Sequence, residues 1–194
     1  MYSLAQFFRF LIKRFCMVTN IVEAIQQKLG YAPLQKVDAN SQEIKGVNKL
    51  SPEQKLRQAA VPAVLAAILK YSDGTEGINI LKNEQRPWVN TIYSGRQEDV
   101  IRKVAEYSGA TPETAAHEME RICDEAVNFV RDSIKTPDPE KLRSFMNSQR
   151  HNILSHLPAA MKVGDVLNEE TFDDRTNKME GPVSGFLHRI ENII

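Results

Sequence analysis

Residues 50–74, LSPEQKLRQAAVPAVLAAILKYSDG, decide the fold. Ser51 stands where an N-cap belongs, Pro52 occupies the first helical turn, and Gln54 completes a capping box. From Leu56 to Leu69 the helix is then apolar on every side: Ala59, Ala60, Val61, Ala63, Val64, Leu65, Ala66, Ala67, Ile68 and Leu69. A surface helix carries an apolar stripe, whereas one apolar all round is buried. Pro62 lacks the N–H that would bond the Gln58 carbonyl, which predicts a kink or a break there. Asp73-Gly74 stops the segment.

The flanking segments read as helix too. Asn20 is an N-cap for a helix that ends at Gly30, and Pro33 starts a short second helix using Leu34 and Val37. Short helices are expected around 76–84 and 87–93, and another at 97–107, closed by Gly109. Thr111-Pro112-Glu113 opens a long helix over 112–135, with Ala115, Met119, Ile122, Ala126 and Phe129 on one face. Asp138 and Pro139 start the next, which meets Pro158 and resumes as PAAMKVGDVL. Residues 168–180 form a polar loop, and PVSGFLHRIENII (182–194) makes a last amphipathic helix. No useful stretch alternates with period two. The expected fold is an all-α multihelical bundle with Pro-kinked buried helices.

Residues 21–37 align without gaps on 100–116, placing Gly30 on Gly109 and Pro33 on Pro112. Downstream, AVPAVLAAI (60–68) has a partner in HLPAAMKVG (156–164). Two similar helical halves would explain both, and so would the ordinary grammar of helix turns. The pieces SGATPE (108–113) and VPAVLAAIL (61–69) resemble the YidB-like and related multihelical bacterial proteins of unknown function. That resemblance implies a multihelical fold and brings no catalytic residues with it.

At 194 residues the chain fits one domain, and 25 basic against 25 acidic residues leave no net charge. The opening MYSLAQFFRFLIKRFCMVTN places Leu4, Phe7, Phe8, Leu11, Ile12 and Phe15 on one helical face, with Arg9, Lys13 and Arg14 beside it. Arg9 interrupts the apolar run too early for a membrane span, and the late charges do not suit a signal peptide. Residues 1–16 are therefore read as an N-terminal extension, either an over-called start before Met17 or a tail. A core-docked helix and a membrane-surface helix are the alternatives, and membrane contact would come only through this segment. Residues 17–194 then form a single helical domain of net charge −3, which argues against nucleic acid as a partner. Cys16 and Cys123 make no disulfide framework, which suits the cytoplasm, with Cys123 in the core.

Chemistry is sparse. His151 and His156 are five residues apart, about 140° around a helix, so they share no face for a metal; His117 and Cys123 are six apart, with Cys123 on the apolar face and His117 on the polar one, and His188 is the fourth histidine. No nucleophile elbow, phosphate loop or dinucleotide fingerprint occurs, so neither a catalytic residue nor a cofactor or metal is assigned. Asp165, Glu169, Glu170, Asp173 and Asp174 form an acidic loop that does not fit a calcium site. Trp88, Tyr93 and Arg86 are a candidate ligand surface, set against Trp88 as a core anchor. Phe186, Leu187, Ile190, Ile193 and Ile194 form a candidate interface strip. The expected function is non-enzymatic, by helix-mediated self-association or protein–protein interaction. A small-ligand or lipid-binding bundle and an enzyme without a recognisable motif are the alternatives.

Overall fold

Local capping chemistry sets where the helices begin. The computed structural model describes residues 20–38, 40–82 and 87–172. Along these run α1 (Ile21–Leu29), α2 (Pro52–Asp73), α3 (Trp88–Ile92), α4 (Gln97–Ser108), α5 (Pro112–Ser133), α6 (Pro139–Leu154) and α7 (Val163–Leu167). Short 3₁₀ turns at Val47–Lys49, Thr75–Leu81, Ala159–Met161 and Glu170–Phe172 connect them, and no strand occurs among the described residues. The protein is an all-α multihelical bundle.

Asn20, Ser51, Thr111 and Asp138 each accept backbone N–H bonds as N-caps of α1, α2, α5 and α6. At α2 the box is reciprocal: Gln54 N–H donates to Ser51 Oγ (3.2 Å) and Ser51 N–H to Gln54 Oε1 (3.0 Å). The apolar run of α2 lies at the centre, with every residue from Ala59 to Leu69 buried. Helices α4, α5 and α6 pack directly around it, and α1 closes the bundle against α5 and α6. One apolar cluster includes residues of all seven helices.

Helix α2 passes through Pro62 without a break. One missing hydrogen bond does not interrupt a helix whose flanks are fully packed, and the Tyr93 hydroxyl donates to the Ala63 carbonyl (2.8 Å) one residue further on. Pro158 behaves differently. Helix α6 already ends at Leu154, and the expected helical continuation is a 3₁₀ turn followed by the short α7, parted by Lys162 at φ 45°.

The internal echo holds at the glycine stops and then fails. Gly30 and Gly109 are both left-handed (φ 69° and 75°), and the residue after each donates back to Gln26 (2.8 Å) or Ala105 (3.2 Å). Beyond them, Pro112 opens α5, but Pro33 opens no helix and residues 31–38 form an irregular strap. Thr111 caps α5 through its side chain, whereas Ala32 at the matching position offers no acceptor. The strap bonds elsewhere instead. Gln35 N–H donates to Gln58 Oε1 (2.9 Å), Gln58 Nε2 donates to the Gln35 carbonyl (3.0 Å), and Val37 N–H reaches the Ser155 carbonyl (2.9 Å).

After α2 the chain doubles back tightly. A Cβ on Gly77 would lie 2.7 Å from the Ser72 carbonyl oxygen and 2.9 Å from that of Tyr71, both backbone atoms. Gly77→Ala is therefore expected to cost about 1–3 kcal/mol, as overpacking does. Chemical denaturation checks this, and an unchanged midpoint would show that the turn yields.

Candidate functional site

Two places gather polar side chains, and their chemistry separates them. In the first, the strap brings Tyr31 onto α5. Its hydroxyl donates to Glu118 Oε1, and Arg121 donates to Glu118 Oε2 (2.9 Å) and to the Tyr31 oxygen (2.6 Å). The guanidiniums of Arg57 and Arg121 lie 4.3 and 5.3 Å from the Tyr31 ring centroid. Burial, then the bond to Glu118, pushes the Tyr31 pKa well above the ordinary tyrosine range. A neutral phenol bound to an occupied carboxylate supplies neither nucleophile nor base, so this cluster ties the strap to α2 and α5.

The second place is a cleft of about 510 Å³ at the C-terminal end of α2. Its walls come from the end of α2, the following 3₁₀ turn, the α3–α4 turn and the end of α7. The half-buried Tyr71 and the largely buried Ile92 and Leu167 supply its apolar lining. Two of its lining residues have positive φ: Asn168 (51°) as the left-handed C-cap of α7, a role asparagine adopts readily, and Ser94 (52°), for which the conformation costs free energy. Lys70 is neutralised within the cleft's rim, since its Nζ lies 2.6 Å from Glu169 Oε2. That contact and the Thr171 hydroxyl hold the Glu169 carboxyl below its usual pKa. A groove of similar size, about 540 Å³, runs beside α5, and two of its lining cations are committed. Lys28 pairs with Glu125 (3.0 Å), and Arg131 binds the Ile80 carbonyl (2.7 Å).

Most residues singled out by sequence serve the core. Trp88 is buried, with the Arg131 guanidinium 5.5 Å from its ring centroid. Tyr93 is buried and its hydroxyl is spent on Ala63. The two therefore present no aromatic surface to solvent, because both rings are needed to close the bundle around α2; Arg86 lies outside the described residues. So do the strip Phe186, Leu187, Ile190, Ile193 and Ile194, the extension 1–16, and Asp173 and Asp174. Cys123 is a buried free thiol whose pKa is pushed up by burial, so it stays protonated. His117 and His151 are exposed. His156 is buried, and its Nδ1 lies 2.7 Å from the Asn152 carbonyl, which can only accept. That nitrogen carries the proton and cannot serve as a base toward Ser155 Oγ at 3.3 Å. Among the described residues no group of three potential metal ligands converges, and no helix is long and apolar enough to cross a membrane.

Sequence reasoning passed over Gln58 and Gln149. Gln149 is fully buried in α6 and its Oε1 accepts from Ile21 N–H (3.0 Å), an orphan donor of α1. The available signal was a polar residue on an apolar stripe, at the spacing Leu142, Met146, Gln149, Ile153.

The turn that follows the strap is expected to resist acid until low pH. Asp38 pairs with Lys45 (2.5 Å) and accepts from Ser41 and Asn40 N–H (both 3.0 Å), which lowers its pKa to about 2. A depressed carboxylate stabilises the fold above its unfolded value of roughly 3.9, and the contribution is lost as pH falls toward the folded value. The amide resonances of Asn40 and Ser41 should titrate with a midpoint near that lower value. A midpoint near 4 would mean the contacts do not persist in solution.

No protein family model, characterised protein or solved structure matches this chain.

Proposed function

We propose that the protein is a small-ligand-binding helical module that works through the cleft at the end of α2. The observation that supports this most is a concave site whose walls come from four separate segments. Ser94 and Asn168 come from different segments and line the same cleft, and Ser94 holds a costly left-handed backbone conformation there. A volume of about 510 Å³ lies within the range of small-molecule sites. No catalytic role is assigned, and a reducing cytoplasm suits the unpaired Cys123. The test is a fragment screen on isotopically labelled full-length protein. Amide shifts are expected at Thr75, Ser94, Gly95 and Asn168; binding only at other surfaces would remove the proposal.

Helix-mediated association is the second reading. Its support is now the sequence of Phe186, Leu187, Ile190, Ile193 and Ile194, because the apolar run of α2 is covered by the chain's own helices. Sedimentation with and without residues 182–194 tests it. A monomer in both cases would leave it without support.

A further inference from the structure

We infer that the cleft takes a small zwitterion, a free amino acid with an apolar side chain, clasped between Arg96 and Glu76. This rests on the ligand-binding reading above and names the class of ligand. Once Lys70 and Glu169 have paired, the cleft retains one guanidinium, Arg96, and one carboxylate, Glu76. Each belongs to a different wall, Arg96 to the approach to α4 and Glu76 to the 3₁₀ turn after α2. Neither has an ion-pair partner among the described residues.

Both are held in place by a neutral amide rather than a countercharge. Arg96 donates through one Nη to Asn168 Oδ1 (3.1 Å), which leaves its other N–H groups for a carboxylate. Glu76 Oε2 accepts from Asn79 Nδ2 (2.6 Å), leaving its other oxygen for an ammonium. Asn79 is itself buried, and Lys82 Nζ donates to its Oδ1 (2.9 Å), which fixes the amide with its NH₂ toward Glu76. Two opposite charges on different walls of one cleft, with Tyr71 and Leu167 in its apolar lining, match a molecule that carries an ammonium, a carboxylate and a hydrocarbon side chain. An anion alone would leave Glu76 facing the ligand unpaired, and a cation alone would do the same to Arg96.

The experiment titrates labelled full-length protein with L-leucine, with isopentylamine and with N-acetyl-L-leucine, which lack the carboxylate and the ammonium respectively. L-Leucine should shift the amides of Ser94 and Asn168, and each analogue should bind roughly tenfold or more weakly, the weight of one charge-assisted contact. Arg96→Gln and Glu76→Gln should each weaken L-leucine by a similar factor. Arg96→Gln should also erase the preference for L-leucine over isopentylamine. Either analogue binding as tightly as L-leucine overturns the zwitterion. If other fragments fill the cleft while L-leucine does not, the ligand class falls and the cleft reading stands. If nothing binds there, both fall.

Discussion

Leu65→Ala is expected to lower the unfolding free energy by about 3–5 kcal/mol, the upper part of the range for a buried leucine truncation. Leu65 lies in the middle of α2 with no exposed surface, and its neighbours along the helix, Ala63, Val64, Ala66 and Ala67, are equally buried. Helices α4, α5 and α6 pack around α2, so the vacated volume cannot be filled by one side chain relaxing. Urea denaturation of the full chain measures the loss. The same variant separates a core helix from an interface helix. A core truncation lowers stability at every protein concentration, whereas a truncated interface would alter the association state. A loss under about 1 kcal/mol would mean that the site collapses freely, as well-packed cores do not.

Glu118→Ala is the second large effect. Its carboxylate accepts from Tyr31 and Arg121 and lies 3.8 Å from Arg57 Nε, so its removal leaves the Arg121 guanidinium over the phenol without its anion, while Arg57 keeps Glu53. Breaking a fully buried pair costs about 3–5 kcal/mol. The Arg121 side chain is 42% exposed, so solvent screens part of this and about 2–3 kcal/mol is expected. Tyr31→Phe removes the bond donated to Glu118 and the one accepted from Arg121 but leaves that ion pair in place, and should cost about 1–2 kcal/mol. Because the Tyr31 contact spans 87 residues, Glu118→Ala should also raise hydrogen exchange in residues 31–38. Unaltered exchange there would show that the glutamine contacts at Gln58 hold the strap unaided.

The helix starts were legible because a cap is satisfied within two or three residues. Asn20, Ser51, Thr111 and Asp138 carry in their own side chains the acceptors that their helices need. The same grammar misled at Pro33, where a proline after a glycine stop looked like a helix start. The missing acceptor at Ala32, visible in the chain, was the better guide. Nothing local foretold that residues 31–38 would bond to Gln58 and Ser155 instead. The cleft was invisible for a related reason. Its walls come from four segments, and Glu76, Arg96 and Asn168 each look like ordinary solvated residues in their own neighbourhoods. Trp88 and Tyr93 drew attention as aromatics, and packing around α2 turned both inward.

Apolar spacing and capping side chains, read along the chain, were enough to establish an all-helical protein and the central position of residues 56–69. Both are short-range consequences: a turn of helix meets its own needs, and an all-apolar helix has to be covered by something. Which strap crosses α5, which glutamine caps α1, and which two charges face one cleft were decided by packing alone. A polar side chain does not encode among its neighbours the distant carbonyl or carboxylate that it will meet.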